Sequence, residues 1–136
     1  MPVEQSPHVR RCREENDALV LEVLNAANGP LSAYEIAHRA SSNGQRIVPN
    51  QAYRTLARLI ERQAVVRIET LSACIARQSS ANVCLICKDC HTVEFIDVPG
   101  IRRSMVDAAP RGQFAMIDGL VEANGQCLDC QRVQDC

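Results

Sequence analysis

Apolar positions in the first half of the chain recur with a helical period. Val20, Val23, Leu24 and Ala27 stand at i, i+3, i+4 and i+7, which predicts a helix over 10–27 that Asn28-Gly29-Pro30 stops. Ser32, with Glu35 three residues on and Ile36 and Ala37 following, has the pattern of a capping box and opens a second helix. Ser41-Ser42-Asn43-Gly44 closes it. Pro49-Asn50 opens a third, with Ala52, Leu56, Leu59 and Ile60 on its apolar face and Arg54, Arg58 and Arg62 stepping by four along another. The period then shortens, and 65–69 and 72–76 read as a hairpin turning near Thr70-Leu71. Three helices and a small hairpin describe a winged helix-turn-helix.

Beyond this the pattern changes. The polar stretch 77–82 reads as a hinge between a winged-helix domain over 1–76 and a second domain over 83–136. Val83-Cys84-Leu85-Ile86 and 92–98 are strand-like, 101–109 is compatible with a helix closed by Pro110-Arg111-Gly112, and 114–122 resembles a strand weakened by Gly119. The fold class is therefore α+β. The two C-x-x-C units are the one internal repetition.

Composition adds a constraint. Hydrophobic residues make up 46% of 136 positions, enough for a globular chain, yet two tyrosines, two phenylalanines and no tryptophan leave an aliphatic, Ala-rich core. Modest burial per residue makes an external staple the expected supplement. The net charge of −1 conceals an asymmetry. Between Arg46 and Arg67 five arginines face Glu61 alone, whereas 77–136 carry eight acids and six bases. A basic first half beside an acidic second fits a nucleic-acid-binding module joined to something else.

Cysteine is abundant, with eight residues. The N-terminal sequence has no apolar signal core and no run of apolar residues is long enough to span a bilayer, so the expected setting is cytoplasmic, without a membrane partner. In a reducing compartment a set of cysteines points to metal or redox chemistry rather than disulfides. Cys87-Lys-Asp-Cys90 and Cys127-Leu-Asp-Cys130 are two such pairs, separated by 36 residues. Two intervening residues let one tight knuckle aim both sulfurs at a single ion, and two knuckles complete a closed tetrahedral Cys₄ zinc site. Four soft sulfurs select zinc over calcium or magnesium and leave no open position for a substrate. A redox reading of either pair would require a thioredoxin-like βαβ context, which this pattern lacks. One structural zinc per chain is the expectation.

Several segments carry a family resemblance. They are Gly29-Pro-Leu-Ser-Ala-Tyr-Glu-Ile36, Ala52-Tyr-Arg-Thr-Leu-Ala-Arg-Leu59, Val66-Arg-Ile-Glu-Thr-Leu-Ser-Ala73, the paired C-x-x-C units and Glu122-Ala-Asn-Gly-Gln-Cys127. In this order and spacing the chain resembles the ferric-uptake-regulator (Fur) family, and within it the zinc-uptake-regulator (Zur) branch, from about residue 16 onward. The resemblance implies a homodimeric repressor of metal-uptake genes, with a winged helix followed by an α/β dimerisation domain holding the Cys₄ zinc, bound to a palindromic double-stranded operator. It makes Arg54 the base-reading arginine and Tyr34 a second contact from the preceding helix. An arginine near the start of such a helix can bond guanine O6 and N7 together. Arg58 and Arg62 are left to contact phosphates or to solvate the helix, and Tyr53 to meet thymine methyls or pack in the core.

The resemblance also implies a second, sensing zinc site in the hinge, built from histidines, a cysteine and a glutamate. Here the chain departs. Its histidines are His8, His38 and His91, none between Arg67 and Cys90, and Arg77 stands where the branch has its sensing cysteine. Glu94 lies one position nearer Cys90 than the usual glutamate, and His91 replaces a glycine. The usual sensor is expected to be missing. For Cys74 and Cys84 two readings stand: small buried apolar residues, or a remodelled metal or thiol site with His91 and Glu94. Cys12 and Cys136 receive no role, Cys136 being placed in a loose tail.

Two functions compete. One is a DNA-binding transcriptional repressor of the Fur/Zur type; the alternative is a Fur-like interaction protein that dimerises with or antagonises a true repressor. An enzyme is not expected, and neither is a small-molecule substrate. Three scattered histidines and a saturated zinc supply no nucleophile–base pair and no open metal position.

Overall fold

The computed structural model describes residues 11–77, 81–116 and 119–134; positions 78–80 of the expected hinge and Cys136 lie outside them. The chain divides into two compact units, Met1–Arg77 and Gln78–Cys136.

The first unit is built from α1 (Arg13–Ala26), α2 (Ala33–Ser42), α3 (Pro49–Glu61) and a hairpin of β1 (Val65–Ile68) and β2 (Ala73–Ala76). The expected capping box is present. Ser32 Oγ accepts the Glu35 N–H at 3.2 Å while the Ser32 N–H donates to Glu35 Oε1 at 2.8 Å, satisfying groups a helix start leaves open. Pro49 occupies the first turn of α3, where its missing N–H costs nothing. The strands pair antiparallel, Val65 opposite Ala76 through Ile68 opposite Ala73. A short 3₁₀ turn, Glu69–Leu71, joins them, followed by Ser72 in the left-handed region at φ 50°. Leu31 adds a bridge to Cys74, with backbone bonds of 2.9 and 2.8 Å.

One aliphatic cluster fills this unit. Val20 and Leu24 from α1, Ile36 and Ala40 from α2, Ala52, Leu56 and Leu59 from α3 and Val65 from β1 close over each other, with Cys74 and Ala76 of β2 beneath. Alanines at helix contacts allow the close approach that an aromatic-poor sequence needs. Asp17 lies on α1 three and seven residues before Val20 and Leu24, on the same face, and is buried there.

The second unit contains β3 (Val83–Cys87), β4 (Val93–Ile96), α4 (Ile101–Ala108), β5 (Val121–Gly125) and α5 (Leu128–Gln134). Its sheet has the order β4-β3-β5, with β4 antiparallel and β5 parallel to the central strand. Asn82 ties the sheet's entry: its amide donates to Val98 O at 3.1 Å and accepts the Val98 N–H at 2.9 Å, while its carbonyl accepts the Val121 N–H at 3.1 Å. α4 follows Gly100, whose φ of 84° suits a residue without Cβ.

The strand expected over 114–122 is displaced. Residues 114–116, 119 and 120 are irregular, Ile117 and Asp118 lie outside the described residues, and β5 begins at Val121. Pairing with β3 sets its position: the register that puts Cys87 opposite Gly125 brings Cys127 beside Cys87, and that requirement overrides the apolar signal upstream. α5 was not expected at all.

Candidate metal centre and nucleic-acid interface

The four cysteines of the two C-x-x-C units converge at the end of the sheet. Cys87 closes β3, and the chain turns back through Cys90, with the His91 N–H bonded to Cys87 O at 2.9 Å. His91 takes φ 65° to make that turn, and its side chain is exposed. The second pair is helical: Cys127 immediately precedes α5 and Cys130 sits in its first turn. The four sulfurs all lie within 4.8 Å of one another. Cys90 Sγ and Cys127 Sγ are 3.7 Å apart. A tetrahedron with Zn–S bonds of about 2.3 Å has edges of about 3.8 Å, so the spacing and donor set fit one zinc ion.

The surroundings favour the thiolate, the ligand form, at the two sulfurs of the first knuckle. The Cys127 N–H points at Cys87 Sγ at 3.4 Å, and with the backbone N–H groups of Cys90 and Asp89 it lowers the Cys87 thiol to about 6. Thr92 acts likewise on Cys90, through its hydroxyl at 2.9 Å and its backbone, and lowers that thiol as well. Cys130 moves the other way, raised by the neighbouring sulfurs of Cys127 and Cys87. A bound zinc would supply the charge that lets all four ionise. The Gln126 amide reaches Asp89 Oδ2 at 2.7 Å and so links the two knuckles.

Among the described residues this is the one group of three or more His, Cys, Asp or Glu side chains within reach of a common ion. Cys84 and Glu94 are not brought together. Cys84 pairs with Phe95 and Leu85 with Glu94, so the thiol and the carboxylate project from opposite faces of the sheet. Burial, reinforced by Glu122, raises the Cys84 thiol to about 11. Cys74 lies in the core of the first unit, its thiol also raised by burial. Both side chains occupy small apolar positions, the bland reading of a free cysteine. Cys12 is exposed at the start of α1.

On the first unit, Tyr34 of α2 and Tyr53 of α3 form an exposed edge-to-face pair, ring centroids 6.4 Å apart at 87°. Their exposures, 66% and 50%, take Tyr53 out of the core. Arg54 is exposed and makes no ion pair among the described residues. Arg58 behaves differently. It is half-buried, and its Nη2 donates to Asp17 Oδ1 at 2.8 Å. Arg62 Nη1 takes the other oxygen at 2.7 Å. The arginine stripe thus divides: one member is free, and two converge on a carboxylate of α1. Reading by residue type missed Asp17, although an acid at i−3 and i−7 from Val20 and Leu24 was the available signal.

Comparison with known proteins bears on this arrangement. No family model matches the chain. The zinc uptake regulation protein of Escherichia coli (strain K12) is 25% identical over 122 residues, covering 86% of this chain and 71% of that protein. The chain is thus similar in sequence to a zinc uptake regulator. Solved structures agree in fold. A zinc uptake regulator complexed with zinc and DNA aligns with a TM-score of 0.77 at 24% identity, over 98% of this chain and 87% of that one. Holo XcZur gives 0.76 at 23%, over 86% and 84%. The Francisella tularensis ferric uptake regulator with iron gives 0.65 at 15%, over 95% and 99%. The chain shares with them a winged helix in its first unit, and its second unit holds the four-cysteine cluster.

Proposed function

We propose that the chain is a homodimeric, zinc-loaded transcriptional repressor that binds a roughly twofold-symmetric operator and controls metal-uptake genes from the cytoplasm. The observation that carries this reading is the surface made by Tyr34, Tyr53 and Arg54. Two exposed aromatic rings pair across consecutive helices of a winged helix, and the exposed Arg54 follows Tyr53 directly in sequence, with no ion pair among the described residues. Tyrosines can contact thymine methyls and sugars, and arginine can read guanine. The relative from Escherichia coli is a zinc uptake regulator, and another was solved with zinc and DNA, which supports the same assignment. Among the described residues no helix is long and apolar enough to cross a membrane.

The Cys₄ ion is structural in this reading: with four protein ligands it keeps no position for exchange. The second unit displays Leu85, Ile96, Met105, Val106 and Phe114, and a second copy of the chain is the partner that covers them. The sensing site that the family resemblance implies for the hinge is not expected to form, since Arg77 places a cation where its cysteine would stand. Gel shifts on an operator and its scrambled counterpart test the function. Strong preference for the operator is expected; equal binding of both by the zinc-loaded protein would overturn the repressor reading and leave the interaction-protein alternative.

A further inference from the structure

Three arginines step along the recognition helix α3, and the structure commits two of them before any DNA arrives. Each oxygen of Asp17 serves a different guanidinium, Oδ1 that of Arg58 and Oδ2 that of Arg62. Arg58 also touches Thr55 Oγ1 at 3.4 Å, and its Nε is buried with no acceptor. The attraction of Asp17 therefore holds this guanidinium in place at the expense of one unsatisfied donor. Asp17 itself is 8% exposed. If Arg58 or Arg62 turned to a phosphate it would leave this buried carboxylate short of a partner, a change that low local dielectric makes unfavourable. The remaining arginine, Arg54, has no such tether.

We propose that Asp17 is a positioning residue for DNA recognition: it holds α3 against α1 and withholds Arg58 and Arg62 from DNA phosphates, so that α3 addresses the duplex through Arg54. This rests on the DNA-binding reading above. Phosphate contacts add affinity for every sequence alike, whereas base contacts discriminate. Sequestering two cations therefore lowers non-specific binding more than specific binding.

The test uses the full-length, zinc-loaded protein and two duplexes: one enriched from a randomised pool by the wild type, and the same duplex scrambled. Dissociation constants are measured across a salt series at a temperature where thermal melts show every variant folded. Each phosphate neutralised contributes about 0.9 to the slope of log K against log salt. Arg62→Gln, at an exposed position that folding tolerates, should leave the slope unchanged. Asp17→Asn should steepen it by about 1 to 2 and raise affinity for the scrambled duplex about tenfold at low salt. Asp17→Asn combined with Arg58→Gln and Arg62→Gln should return the slope to the wild-type value. A slope that falls by about 1 in Arg62→Gln, or stays unchanged in Asp17→Asn, would overturn the inference while the regulator reading stands. A wild type that binds both duplexes equally would overturn the regulator reading, and this inference with it.

Discussion

In residues 11–77 side chains from all three helices and both hairpin strands close into one aliphatic cluster, whereas among the described residues of the second unit the buried side chains are Val83, Cys84, Ile86 and Cys87, all on β3. α4 has no buried residue, and neither β4 nor β5 reaches the same burial. The two halves draw on the same aromatic-poor alphabet. One spends it on helix packing; the other builds a single buried strand and ends that strand on a metal ligand. Where apolar area is scarce, a four-sulfur cross-link replaces the missing core, because closing a long loop removes unfolded-state entropy that burial would otherwise have to outweigh.

The largest expected effect tests that contrast directly. Zinc removal by a strong chelator under denaturing conditions, or Cys87→Ser or Cys130→Ser, should abolish hydrogen-exchange protection of β3 and β5 while α1–α3 keep theirs. A metal-free protein that stays cooperatively folded and dimeric would show the second unit has a sufficient core after all. Next, Leu59→Ala in the first unit should cost about 2–5 kcal/mol of its stability. Zinc stoichiometry by metal analysis should remain one per chain. Arg54→Ala should weaken operator binding by about 1–3 kcal/mol and relax sequence preference, with little change in the melting of either unit. Ser32→Ala, which removes one side of the capping box, should lower first-unit stability by about 1 kcal/mol in denaturant titration. Smallest of all is the response to further zinc. Metal beyond the first equivalent should change operator affinity about threefold or less, since a ligand shifts an equilibrium only by its differential affinity for the two states. A hundredfold rise would reveal a sensing site elsewhere.

Legibility in the sequence followed the same division. In the first unit local signals agree with one another: the period of Val20, Val23 and Leu24, the Ser32–Glu35 pair and Pro49 each mark a boundary that packing then reinforces. The Cys₄ set was equally plain, because knuckle spacing is a short-range geometric rule. What could not be read were elements whose position is decided at a distance. β5 sits where Cys127 must meet Cys87, so its upstream apolar run became irregular, and Phe114 is 75% exposed. The capture of Arg58 and Arg62 by Asp17 spans more than forty positions, and helical periodicity carries no information on partners so remote. His91 and Glu94 looked like ligands by residue type, yet the pleat and the knuckle turn send them elsewhere.

The parallel pairing of β3 with β5 also fixes an order of events. The knuckle at Cys87 and Cys90 is complete as soon as its own few residues are made, but it offers only two sulfurs. The other two lie in the second C-x-x-C unit, 36 residues further along the chain, and meet the first only when β5 has docked. Contacts of such sequence separation form late and slowly. Metal capture is therefore a closing step of assembly rather than its nucleus, and during synthesis the first knuckle must wait, incompletely liganded, for the second C-x-x-C unit. Refolding followed in the presence and absence of zinc should show the first unit recovering at the same rate in both, with only the slower recovery of the second depending on the metal.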